Sequence, residues 1–191
     1  MSSAAARSRP YWARGLSREA WARAWCVRVE RHFHQIAQER MQALPNTNSA
    51  LLVEGVGFHY SEQPTGLLGI LITPWSMSLL HDPEGPVAAV GQPVTRCLPA
   101  GEIEFTGAHA DELGAYESCA VLASMGHLPE QAVARVLARE TLAQFLKPAA
   151  AEVATTKSAP FTQGQGPLAA IQRNQQRPLD RRGFLRGSFL K

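Results

Sequence analysis

The chain has 191 residues, 45% hydrophobic and 18% charged, a length that fits one globular domain plus a tail. Its longest apolar run, Leu67 to Ile72, ends at Thr73-Pro74 and falls short of the roughly 18 residues of a membrane helix. The Arg-rich start also lacks the apolar core of an export signal, so a cytoplasmic protein without membrane insertion is expected. Charge is segregated: residues 1–45 sum to +5, 46–146 to −8 and 147–191 to +6, which counts against nucleic-acid binding, where basic side chains gather on a folded face.

Ser17 reads as the cap of a first helix, in which Trp21, Trp25, Val29, Phe33 and Ile36 form one apolar face to pack on a sheet. Pro45 stops it. Leu51 to Tyr60 reads as a strand with Leu52, Glu54, Val56, Phe58 and Tyr60 on one face. Gln63 to Gly66 makes a turn, and Leu67 to Thr73 returns as a strand apolar on both faces, ended by Pro74. Pro93–Leu98 and Glu102–Thr106 are predicted as a strand pair around the turn Pro99-Ala100-Gly101, and Tyr116–Ala123 as a further strand. Pro129 fits the first turn of a second helix reaching Leu146, with its apolar residues scattered around the wheel. Beyond Pro148 the composition is too polar to bury a core, so 148–179 reads as a linker.

Little in this pattern is catalytic. Cys26, Cys97 and Cys119 form no Cys-x-x-Cys pair and read as small buried hydrophobes. His32 and His34 point to different faces of one helix and cannot share a metal. His81-Asp82 and His109/Asp111 are expected in loops, without a second pair at ligand spacing, so neither metal nor cofactor is expected. No nucleophile elbow and no phosphate-binding loop occur. Glu54 interrupts an apolar strand face, where a carboxylate is costly unless paired or near an edge; it lies at the sheet rim, pairs with an Arg of the first helix, or helps receive a cationic ligand. At the C-terminus, Arg181-Arg182-Gly183-Phe184-Leu185-Arg186 matches the pattern of a twin-arginine export motif but has no apolar stretch behind it.

The blocks Leu51-Leu52-Val53-Glu54-Gly55-Val56-Gly57-Phe58, Gly66 to Trp75 with its Ile72-Thr73-Pro74-Trp75, Pro99-Ala100-Gly101-Glu102 and Gly114-Ala115-Tyr116 together resemble the HybE family of [NiFe]-hydrogenase assembly chaperones. The resemblance runs from about Phe33 to Leu146. It departs from the usual pattern at Thr47-Asn48 and at Ser76. It implies an α+β fold similar to small secretion chaperones: an antiparallel sheet of about four to five strands with an N-terminal and a C-terminal helix packed on it. The expected division is a flexible segment 1–15, a chaperone domain 16–147, and a disordered linker and basic tail 148–191.

The resemblance implies no enzyme. It implies a chaperone that contacts the small subunit of an uptake hydrogenase, with its twin-arginine signal peptide, before export; other hydrogenase maturation proteins are further candidate partners. A metal-delivery or cofactor-assembly factor for the same hydrogenase is the alternative. Arg pairs well with carboxylates, but exposed pairs are worth only about 0–1 kcal/mol, so the site also needs an apolar groove. Glu54, Trp75, Met77 and Tyr116 are the expected peptide-binding residues, and Arg181, Arg182, Phe184 and Leu185 an internal decoy of the client signal.

Overall fold

Ser17 sets the start of the first helix, because its hydroxyl accepts the Ala20 N–H at 3.2 Å and satisfies one of the unpaired donors of the first turn. In this computed structural model, which describes residues 11–41 and 47–148, helix α1 spans Arg18–Ile36 and continues through one wider turn, Ala37–Met41. Pro45 lies outside the described residues. A short turn, Tyr11–Ala13, precedes α1, and Ala13 is fully buried, so packed chain begins inside the expected flexible segment 1–15.

Among the described residues six strands follow, β1 (Glu54–Glu62), β2 (Thr65–Ile72), β3 (Met77–Pro83), β4 (Pro93–Leu98), β5 (Gly101–Ala110) and β6 (Gly114–Leu122), and after them comes helix α2 (Gln131–Leu146). They form one antiparallel sheet in the order β1-β2-β3-β6-β5-β4. This is the α+β class expected, with one strand more than the four to five foreseen. The unforeseen strand is β3, and it is central. His81 and Asp82, expected in a loop, lie in it at 0% and 3% exposure, and His109 is likewise in β5. Pro129 stands before the capping residue Glu130, one step outside the helix it was expected to open.

The helices cover opposite faces. Trp21, Trp25 and Val29 of α1 pack on Leu67, Leu71 and Leu80. Ala134, Ala138, Leu142 and Phe145 of α2 pack on Leu68, Ile70, Leu79 and Phe105. Half of the buried stripe of α2 is alanine, which brings the first turns of the helix close to the sheet while Val133 and Val136 stay exposed. Strand β2 is buried on both faces, as its unbroken apolar run predicts; each such Leu or Ile contributes about 1.5–3 kcal/mol.

The expected alternation of β1 breaks at Gly57. The register slips between Val56 and His59, so Glu54 and Val56 face α2 while Phe58 and Tyr60 face α1. Gly57 has φ +67°, and a Cβ there would run into Leu142 of α2. This bulge lets Phe58 meet Trp25 edge to face at 5.3 Å.

Candidate functional site

The apolar stripe of α1 does not stop where its contact with the sheet stops. Phe33 and Ile36 continue it but are only half-buried, and with Ala110 and Tyr116 they form the floor of an open cleft of about 600 Å³ between the end of α1 and the β5–β6 turn. Glu39, Asp111 and Glu112 stand around this floor, with His32 and His109 beside them. Arg28 fixes the turn: its guanidinium donates to the Glu112 carbonyl at 3.1 Å while stacking 4.4 Å over Trp12. Glu39 accepts a hydrogen bond from Gln35 at 2.8 Å, and among the described residues no basic side chain pairs with Asp111 or Glu112. Carbonyls at a helix C-terminus add partial negative charge. Chemically the cleft offers an aromatic and aliphatic base under unneutralised carboxylates. Burial pushes the Tyr116 phenol upward, so it stays neutral.

A second cleft, about 410 Å³, lies on the other flank of α1, where His34, Ala37, Leu52, Pro74 and Trp75 line a mostly apolar surface. His32 and His34 thus face different clefts, as their spacing predicts. Trp75 is held by the tight β2–β3 turn, in which Thr73 Oγ1 donates to the Ser76 carbonyl at 2.8 Å and accepts its N–H at 3.0 Å. Asn48 fastens the approach to β1, its amide donating to the carbonyls of Met125 and Leu128 at 2.9 and 2.8 Å. Of the departures from the family pattern, Ser76 thus sits in local turn bonding, whereas Asn48 ties its loop to residues 77 and 80 positions further along the chain.

The four residues expected to bind peptide are not brought together. Tyr116 lines the acidic cleft and Trp75 the apolar one, but Met77 is fully buried in the core under α2. Glu54 faces α2, where Arg135 grips both its oxygens at 2.7 and 2.9 Å and Gln131 adds a bond at 2.7 Å. The Arg135 bond, with smaller help from Gln131, holds its carboxyl below the usual range. The partner is an arginine of the second helix, not the first. The decoy residues Arg181, Arg182, Phe184 and Leu185 lie outside the described residues.

The most buried polar cluster had no signal in a single sequence. Glu117 of β6 has no exposed side-chain surface; His81 Nδ1 lies 3.0 Å from it, Arg96 of β4 donates at 2.9 and 2.5 Å, and the Ala88 N–H donates at 3.2 Å. Burial alone would raise this carboxyl, but the bonds from His81, Arg96 and Ala88 outweigh it and hold the group at about 2. Arg96 also donates to the Pro86 carbonyl at 2.7 Å, so the cluster pins the β3–β4 connection across the sheet. His81 Nε2 is buried without a partner. Cys97 is exposed, against the expectation of a buried thiol, and all three cysteines are free. Among the described residues no three His, Cys, Asp or Glu side chains gather as metal ligands, and no helix is long and apolar enough to cross a membrane.

A sheet clad by one helix on each face, with open clefts on two flanks of the C-terminal end of α1 and a surplus of carboxylates around one of them, is the architecture of a binding protein. The profile of the family described as "[NiFe]-hydrogenase assembly, chaperone, HybE" matches residues 24–187. The chain belongs to that family and is an assembly chaperone, not an enzyme. It is 32% identical over 176 residues to the hydrogenase expression/formation protein HupJ of Bradyrhizobium diazoefficiens, covering 90% of this chain and 92% of that one. With HoxT of Azotobacter vinelandii it shares 38% over 120 residues, 62% of this chain and 77% of the relative. The solution structure of HybE from Escherichia coli superposes with a TM-score of 0.55 at 23% identity, over 74% of this chain and 91% of that one, a likeness of fold. The family match runs past Leu146 to Gly187, well beyond the Phe33–Leu146 span of the motif resemblance.

Proposed function

We propose that this chaperone acts in the cytoplasm on the small subunit of a [NiFe]-hydrogenase, and that it holds the twin-arginine signal peptide in the cleft between the end of α1 and the β5–β6 turn. The observation that carries the reading is the cleft itself, because it combines an apolar floor (Phe33, Ile36, Tyr116) with the carboxylates Glu39, Asp111 and Glu112. A segment with two arginines followed by Phe-Leu asks for that combination: planar guanidinium forks on carboxylates, and an aromatic-aliphatic pair on apolar surface. Tyr116 remains a site residue in this reading and Trp75 a secondary apolar contact, whereas Glu54 and Met77 serve the fold.

The C-terminal Arg181-Arg182-Gly183-Phe184-Leu185 offers the same chemistry and competes as an internal decoy. Titration of the full chain with a synthetic twin-arginine signal peptide by calorimetry tests the reading. Asp111→Asn with Glu112→Gln should weaken binding about three- to tenfold at low salt, since each exposed pair is worth up to about 1 kcal/mol, and added salt should narrow the difference. Equal affinity of the double variant and the parent would remove the peptide from this cleft.

A further inference from the structure

Helix α1 covers only part of its side of the sheet. Past Ala108 and Tyr116, the residues of β4 and β5 on that side, Thr95, Cys97, Glu102, Glu104 and Thr106, are all exposed. Across the β4–β5 pair Thr95 stands opposite Glu104 and Cys97 opposite Glu102, so among the described residues neither carboxylate has a cation across that pair. Residues 46–146 hold only three basic side chains, and all three lie elsewhere: Arg96 turns to Glu117 on the α2 side, and Arg135 and Arg139 are on α2 itself.

The outer edges of the sheet are treated differently. At the β1 edge the Gly55 N–H donates to Glu30 of α1 at 2.8 Å and the Leu52 N–H to Gln131 of α2 at 2.9 Å, so side chains cap the free backbone. At the β4 edge, the Gly107 N–H donates to the Gln92 carbonyl at 2.9 Å, which fixes the alternation of the pairing. Val94, Arg96 and Leu98 therefore bond to β5, and the N–H and C=O of Thr95 and Cys97 point away from the sheet.

We propose that this edge, with Glu102 and Glu104 beside it, is a strand-addition site for an extended protein segment carrying Arg or Lys at every second residue. Added strands lie about 4.8 Å apart, which puts the guest two strands, about 10 Å, from β5. A long basic side chain spans that gap over the short Thr95 and Cys97 and meets Glu104 and Glu102. The two-residue spacing of the carboxylates equals the spacing of one face of the guest. Charge selects the guest: two copies of this chain joined through β4 would place all their carboxylates on one face, and phosphate would be repelled outright. Adjacent arginines do not fit, because one of them would point to the face that holds Arg96. The site is thus separate from the cleft and takes a different stretch of client; it rests on the chain being a chaperone of protein clients, not on the cleft reading.

The probe is a peptide with three arginines at alternate positions in a Thr/Val background, titrated into the full chain at low salt. Amide shifts should centre on Thr95 and Cys97, and Glu102→Gln with Glu104→Gln should weaken binding about three- to tenfold. The same composition with adjacent arginines, or with alternate amides N-methylated, should bind at least about threefold less well. Thr95→Pro removes an outward donor that β5 does not use, so it should abolish binding while the β4–β5 amide signals persist. Asp111→Asn with Glu112→Gln should weaken a twin-arginine peptide and leave this probe untouched, which separates failure of one site from failure of the other. Shifts confined to the cleft, equal binding by the double glutamine variant, no binding at millimolar probe, or a β4-dependent dimer in sedimentation would each overturn the proposal.

Discussion

Replacing Glu117 by Gln removes the charge at the centre of the buried cluster and leaves Arg96 and the β3–β4 connection without their common acceptor. The carboxyl is held at about 2 against an ordinary value of 4.5, and at 1.36 kcal/mol per pH unit that difference is about 3 kcal/mol of folding free energy. Loss of one partner from a buried ion pair typically costs about 3–5 kcal/mol, which agrees. Because the folded value is the depressed one, the contribution is complete above the unfolded carboxyl's 4.5 and disappears as pH falls toward 2, where the unfolded chain takes up the proton first. Urea unfolding of parent and Glu117→Gln at neutral pH should therefore differ by about 3 kcal/mol, with a melting point lower by roughly 10 °C. Between pH 4.5 and 2 the parent should lose stability more steeply than the variant, so the two curves converge. Stabilities within about 0.5 kcal/mol at neutral pH, with parallel acid limbs, would mean that the cluster does not hold the β3–β4 connection.

Gly57→Ala should cost about 2–3 kcal/mol, since it adds a strained left-handed residue to a clash with Leu142; a loss below about 1 kcal/mol in urea would show that the bulge relaxes. Glu54→Gln should cost only about 0.5–1 kcal/mol, because its pair with Arg135 is partly exposed. Its affinity for a twin-arginine peptide should match the parent's, and a tenfold fall by calorimetry would return Glu54 to the site. Removing residues 176–191 should raise affinity for that peptide about twofold at low salt, as expected for a tethered competitor near millimolar effective concentration. Unchanged or lower affinity would make the tail an extra contact or an idle extension.

Legibility in the sequence followed burial asymmetry. The stripe Trp21, Trp25, Val29 and the unbroken run of β2 each have one physical solution, so α1 and β2 were readable. Strand β3 was not, because its run Met77-Ser78-Leu79-Leu80-His81-Asp82 ends in two polar residues that normally mark a loop. His81 is buried because Glu117, 36 positions further along the chain and itself held by Arg96, supplies its partner. The faces of β1 were misassigned for a related reason: a bulge shifts every later side chain by one position, and its cause, Gly57 under Leu142, is a contact between residues 85 positions apart. The candidate site shows the same limit. Glu54 stood out because a carboxylate on an apolar face needs a partner, and that inference was sound. The identity of the partner was a tertiary fact, and Arg135 satisfies Glu54 before any ligand arrives.

The acidic excess of the middle segment therefore says less than its distribution does. Glu54 and Glu117 face arginines on the α2 side, and Glu62 pairs with Arg18 of the first helix at 2.6 Å. Of the other eight, Asp82 is buried in β3, Glu84 accepts from the Tyr60 hydroxyl at 2.6 Å, and Glu130 and Glu140 belong to α2; Asp111 and Glu112 at one end of β5 and Glu102 and Glu104 toward the other are exposed and on the side where no arginine of the middle segment points. Mutual repulsion among exposed carboxylates costs little in salt, so folding does not forbid the arrangement. Nor does folding require it, since neutral side chains at these four positions would serve the sheet equally well. What the arrangement changes is the encounter: a basic segment meets local attraction at these four carboxylates, while Arg96 and Arg135 on the opposite side are already turned to Glu117 and Glu54. Screening that attraction should slow association of a basic peptide more than it speeds release, and a stopped-flow series in salt with the opposite division would argue that these carboxylates take no part in capture.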